Sequence, residues 1–163
     1  MTAIKQNFLS PIDFKLVISR LPHVEYFVQT ANIPGVSMAP SSTPNPFKDI
    51  YRQGDKLEYD QFSVTVRVDE NMRNFMEIYY WMKGLAFPED FNEYANLVDG
   101  DGLYSDLTLN IFSNAKNPNI EITMKDVFPI GLGSILLSTT DSDVNYATVD
   151  ITFQTNGFSI NTV

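Results

Sequence analysis

A reactive site in this chain would have to be built from very few groups. His23 is the only histidine, so a Ser-His-Asp relay would have to use it. It follows Pro22 at what reads as the start of a strand, with no nucleophile-elbow glycines nearby, and satisfied surface or interface polarity explains it better. Cysteine is absent, which excludes a disulfide scaffold and a thiolate metal site. Asp99-Gly100-Asp101-Gly102 has the opening of a calcium loop, but the later acceptors are missing and the twelfth position is Asn110 instead of Glu. An acidic tight turn accounts for it. Asp141-Ser142-Asp143 offers too few ligands and sits beside Ser138-Thr139-Thr140, which is loop composition. Gly131-Leu132-Gly133 lacks the further glycines and the Lys of a phosphate loop, and reads as a point of close backbone approach. Twenty acidic residues always permit some carboxylate pair at glycosidase spacing, so that signal selects nothing. No enzyme, metal or cofactor is expected.

The elements around these groups are mostly strands. In Phe62–Val68 every second residue is apolar, which puts Phe62, Val64, Val66 and Val68 on one face. Leu107–Ile111 and Ile120–Met124 repeat the pattern, and the turn cluster Ser113–Asn119 between them predicts a hairpin. Phe14, Leu16 and Ile18 alternate near the start; Val149, Ile151 and Phe153 do so near the end. Half-buried strands separated by turns predict an antiparallel sandwich or barrel, a mainly β fold. One helix interrupts it. Met72, Phe75, Met76, Tyr79 and Met82 follow a 3.6-residue period, Asp69 or Asn71 can cap the start, and Gly84 stands where a left-handed C-cap belongs. That period assigns those five side chains to the buried stripe.

Composition sets the outer bounds. A chain of 163 residues with 44% apolar and 13% aromatic content can bury a real core, and it reads as a single domain over 1–163. No apolar run suits a signal peptide or a membrane span, so a soluble protein made in the cytosol is expected. The net charge is −9, and nine of the eleven bases lie between Lys5 and Lys83. Gly84–Ala115 holds six acids and no base, and no base follows Lys125. Gripping nucleic acid needs a basic stripe against the phosphates, so stable binding of that kind is not expected. Ala39–Phe47 carries three prolines, which argues for an edge excursion instead of a central strand. Gln53-Gly54-Asp55 then reads as a turn between Ile50-Tyr51 and Leu57–Tyr59. Together these predict a long polar arm at about 39–57.

Two stretches, Ser10–Gly35 and Asp60–Pro88, resemble one family when taken together. The first reads as a strand, a pause at Leu21-Pro22, a second strand and a stop at Ile33-Pro34-Gly35. The second is an alternating strand that turns at Val68-Asp69-Glu70 directly into the amphipathic helix. This order, with further strands behind, resembles the tail tube proteins of contractile-tailed bacteriophages. The resemblance implies a small β-sandwich or barrel with one flanking helix, Asn71–Lys83. It implies six copies in a ring, stacked rings, and a rigid tube that passes DNA without holding it tightly. Tail sheath, baseplate and neck proteins are the implied partners. The place is the virion tail, assembled in the host cytoplasm, with no membrane insertion by this chain. The arm would match the hairpin that contacts the neighbouring ring, making Ser41, Pro44, Phe47, Tyr51, Arg52 and Lys56 candidate contacts. Glu121 and Asp150, on the polar faces of their strands, are candidate lumen-facing acids. The arm has more prolines than the family leads one to expect, and the C-terminal Gly157–Val163 lacks an aromatic-acid finish. A tube initiator at the baseplate, or a terminator at the neck, would share these features. A small-ligand-binding β-barrel using Tyr26, Phe27, Tyr79, Tyr80 and Trp81 is the rival from another class, and an acidic hydrolase ranks behind it.

Overall fold

The computed structural model describes residues 8–25, 27–86, 102–140 and 146–162, with 88, 92, 94, 95 and 98 between them. The turn candidates Asp99–Asp101 and Asp141–Asp143, the acids Glu89, Asp90 and Glu93, and Tyr26 lie outside the described residues. Strands follow where alternation predicts them. Strand β1 (Phe14–Ile18) is followed by a short helix, α1 (Pro22–Glu25), and then by β2 (Val28–Ala31). An extended excursion carries β3 (Val36–Met38), β4 (Ser41–Thr43), β5 (Ile50–Arg52) and β6 (Leu57–Tyr59). The chain returns through β7 (Phe62–Arg67) to helix α2 (Arg73–Ala86). Four strands complete the body: β8 (Ser105–Phe112), β9 (Pro118–Leu132), β10 (Thr148–Gln154) and β11 (Phe158–Thr162).

The body is two antiparallel sheets that share β9. Its first half pairs with β8 and β11, and β8 in turn with β1. Its second half pairs with β10, which leads through β7 to β2. Between the halves, residues Lys125 and Asp126 oppose the single residue Asp106 of β8, a bulge in which Asp126 takes φ 54°. Extra residues of this kind bend a strand, and Asp tolerates the left-handed conformation better than most. Thr155, buried between β10 and β11, donates to the Lys125 carbonyl at 3.3 Å and to that of Gly157 at 2.9 Å. The β10–β11 turn is thereby tied to the bend.

Register lines up the apolar faces. Phe62, Val64 and Val66 stand opposite Phe153, Ile151 and Val149, and all six are buried. In the other sheet Leu16 and Ile18 stand opposite Leu109 and Leu107, which face Ile122 and Met124. A single core fills the space between. Gly133 follows the end of β9, where a Cβ would meet the Asp150 carbonyl oxygen at 3.0 Å, the close approach its position predicts.

Four local expectations are overturned. Pro22–Glu25 forms a helical turn where a second strand was expected, so His23 lies in α1; Pro is accommodated at the first helical position because its missing N–H costs nothing there. Helix α2 runs through Gly84 to Ala86, so Gly84 is a buried contact and not a C-cap. Neither Asp69 nor Asn71 provides the side-chain cap. Asn74, fully buried in the first turn, donates to the Arg67 carbonyl at 2.6 Å and accepts from the Asp69 and Phe75 amides. Finally, the helix turns a different face inward. Ile78 and Trp81 enter the core beside Asn74 and Gly84, while Met72, Met76 and Tyr79 are exposed; Phe75 and Met82 are half-buried at the margin. Two apolar stripes compete on this helix, and the one with the largest ring wins. Trp81 packs 6.4 Å from the Phe153 ring, donates its Nε1–H to the Leu103 carbonyl at 3.2 Å, and lies under the Arg20 guanidinium at 4.9 Å. Phe75→Ala therefore removes a half-buried contact at the margin of the core.

Ile78→Ala is expected to lower the free energy of unfolding by about 2–5 kcal/mol, as for other buried large-to-small changes. Tyr79→Ala should stay within about 0.5–1 kcal/mol, because the residue lies outside the core and is half exposed. Urea titrations of both variants check the assignment, and a larger loss from Tyr79→Ala would reverse it.

Candidate assembly surface

Between Gly35 and Asp60 the chain leaves the body as a two-stranded ribbon. β3 pairs with β6 and β4 with β5, all antiparallel, so the ribbon spans Val36–Tyr59 with its tip at residues 44–49. The pairing differs from that expected for Ile50-Tyr51 and Leu57–Tyr59, which lie in tandem on the returning side. Gln53-Gly54-Asp55 is accordingly not the turn; it lies in the returning strand across from Ala39-Pro40. A Cβ on Gly54 would sit 1.9 Å from the Ala39 carbonyl oxygen, so the two backbones approach closer than any side chain allows. The prolines interrupt pairing between the two tiers (Pro40) and shape the tip (Pro44, Pro46), positions where no ladder donor is lost.

The ribbon is anchored at its base and free beyond it. The Asp60 amide donates to the Gly35 carbonyl at 2.9 Å, and Tyr59 packs edge-on against Phe158 of β11 with ring centroids 5.5 Å apart. From Val36 to Glu58, every residue except Gly54 is exposed. Near the base one face is apolar: Val36 stands opposite Tyr59 and Met38 opposite Leu57, while Ser37 and Glu58 take the other face. Farther out Ser41 faces Arg52, Ser42 faces Tyr51 and Thr43 faces Ile50. Pro44 and Phe47 are at the tip, and Lys56 is an exposed position in the returning strand. The six candidate contact residues thus lie along one projecting element. Lys48, Arg52 and Lys56 are balanced there by Asp49, Asp55 and Glu58.

Glu121 and Asp150 are not brought together. Glu121 lies on the outer face of the sheet β1-β8-β9-β11, in a row with Lys15, Asn110 and Asn161. Asp150 lies on the outer face of β9-β10-β7-β2, where it accepts a hydrogen bond from the Thr65 hydroxyl at 2.7 Å. Thr30, Ser63 and Thr152 occupy the same face, and Arg67 stands with its guanidinium over the Tyr146 ring. Each acid is on a polar strand face, as alternation predicts, but the two faces look away from a common core.

The other candidates resolve into structural roles. His23 Nδ1 lies 2.5 Å from Glu77 Oε1, joining α1 to α2. Of the aromatic set proposed for a ligand barrel, Trp81 is in the core while Tyr79 and Tyr80 stack edge-on on the exposed side of α2. Among the described residues no three His, Asp or Glu side chains gather as a metal site, and no helix is long and apolar enough to cross a membrane. Sequence reasoning missed β11 and its role under the ribbon. The alternation Phe158-Ser-Ile160 was a signal for it, too short to stand out.

The fold is similar to that of several solved structures. The chain superposes on one from the sheath-tube complex of an extracellular contractile injection system, PVC, in its extended state, with TM-score 0.70 and 11% identity over 98% of this chain and 95% of that one. A chain of the tube-terminating cap of the anti-feeding prophage gives 0.69 and 13% identity over 97% and 93%. One from the six-fold symmetrised baseplate of the same particle gives 0.59 and 6% identity over 91% and 90%. No protein-family model matches the sequence, and no curated protein matches it either. This chain has the fold of contractile-system tube proteins, with strands in antiparallel sheets and few helices.

Gly54→Ala should push the two sides of the ribbon apart while leaving the body intact, because the ribbon adds nothing to the core. The expected result is an unchanged melting temperature with loss of higher-order assembly in size-exclusion chromatography. A large drop in melting temperature would mean that the ribbon supports the body.

Proposed function

We propose that this chain is a structural subunit of the inner tube of a contractile tail, without enzymatic activity. The observation that carries the reading is the free-standing ribbon. A two-stranded ribbon is marginal in water on its own, and one of about 24 residues with an apolar stripe at its base needs a partner surface. The full-length likeness in fold to chains of a sheath-tube complex, a cap and a baseplate supports a tube as the kind of assembly. In this reading six copies close a ring, rings stack, and the ribbon, with Ser41, Pro44, Phe47, Tyr51, Arg52 and Lys56, bridges to a neighbouring copy. The whole chain acts as one domain. Tail sheath surrounds the tube, and baseplate and neck proteins hold its ends. The particle is a virion tail built in the host cytoplasm.

The lumen is a passive conduit for DNA. Each cation touching phosphate adds salt-dependent affinity, so an acidic wall lowers friction. A wall made from one sheet takes either Glu121 or Asp150, not both, since they lie on the outer faces of different sheets. In this reading Lys125, at the bulge, and Lys116, in the β8–β9 turn, are directed away from the lumen.

The likeness to the cap chain is nearly as strong as that to the sheath-tube chain, which favours a terminator or a baseplate initiator as the second reading. Copy number per purified particle separates them: a main tube subunit is expected in many rings, a terminator or initiator in one. Deleting Ser41–Lys56 should leave a folded monomer, with an unchanged melting temperature, that forms no tubes in negative-stain micrographs. Normal tubes from the deletion variant would overturn the role of the ribbon.

A further inference from the structure

The tip of the ribbon carries Phe47, 94% exposed, and no large apolar side chain among the described residues is more exposed. Pro44 and Pro46 precede it and restrict the backbone, so its ring is presented at reduced conformational cost. At the other end of the ribbon the body has an open cavity of about 270 Å³. Its lining is nearly all apolar: Leu9, Pro11, Phe14, Ile33, Leu109 and Ile111 among others. Three other cavities, by contrast, each include charged side chains such as Lys125, Arg20 or Asp13.

We propose that this cavity is the receptor for Phe47 of a second copy of the chain. The inference rests on the tube reading and names the site where the ribbon of that reading docks. Size fits, since an apolar cavity of about 150 Å³ is already enough to hold a benzene ring. A chain's own tip cannot fill its own cavity. Ile33 lies three residues before the ribbon starts, and Val36 to Thr43 alone carries the tip about 23 Å outward at strand rise. Tip and cavity are different surfaces, so the contact is heterologous and repeats from copy to copy, as a ring or tube requires.

The chain has no cysteine, so a disulfide can be placed cleanly. The double variant Phe47→Cys with Ile33→Cys is mildly oxidised after assembly and run on a non-reducing gel, alongside Phe47→Cys with Leu136→Cys. Leu136 is exposed and follows the far end of β9. A ladder of covalent oligomers from the first pair only is the expected result. Phe47→Asp should keep the wild-type melting temperature while raising the concentration needed for assembly about 10–100-fold, the weight of one buried Phe. Rings or tubes that form without the ladder, or equally well with Phe47→Asp, overturn this contact and leave the tube reading standing. A wild-type protein that forms no rings or tubes at any concentration overturns both. A ladder from the Leu136 pair alone places the tip elsewhere and overturns the assignment of the cavity.

Discussion

One strand has to serve two sheets, and the rest of the molecule depends on how β9 does so. Its 15 residues are too many for a flat strand in a small body, and it pairs on both sides of a bend at Lys125-Asp126. The bend costs a left-handed residue and an unpaired position. Thr155 offsets part of that by holding the Lys125 carbonyl from the β10–β11 turn. Because the bend sits between the two pairings, the inner faces of both sheets point at one core instead of forming two thin layers. A body of this size has little apolar surface to spare, so concentrating it in one core is what makes the fold stable.

The same economy explains what is left outside. The ribbon departs from the edge between β2 and β7 and takes none of the core with it. Its backbone satisfies itself through cross-strand pairs, but its apolar side chains at Val36, Met38 and Leu57 stay about half exposed. The exposed side of α2, with Met72, Met76, Tyr79 and Tyr80, is a second surface of this sort. Several polar side chains hold structural contacts: His23 is engaged with Glu77, Trp81 with Leu103 and Arg20, and Asp150 with Thr65.

Much of the body was legible because strand alternation has a period of two and a single buried face. Phe62–Val66, Leu107–Ile111, Ile120–Met124 and Val149–Phe153 appear where their apolar residues say they should. The helix was legible in position but not in orientation. Its residues offer two overlapping stripes, Met72-Met76-Tyr79 and Asn74-Ile78-Trp81, and a helical period cannot choose between them. The ribbon was legible as an excursion but mispaired, since Gly54 looks like turn chemistry whether it permits a turn or a close crossing of backbones.

The amino-acid sequence by itself determined the strand faces, the hairpin at Ser113–Asn119 and the existence of α2. These follow from local periodicity and from residue types that are present or missing. Tertiary structure alone decided that β9 is shared, that Asn74 caps the helix, and that Glu121 and Asp150 sit on different faces. It also decided that Trp81 is core and that an apolar cavity opens at the foot of the ribbon. Each of these depends on which distant segments meet. Contacts between residues tens of positions apart are set by the competition of whole surfaces for one core, and no local pattern records the outcome.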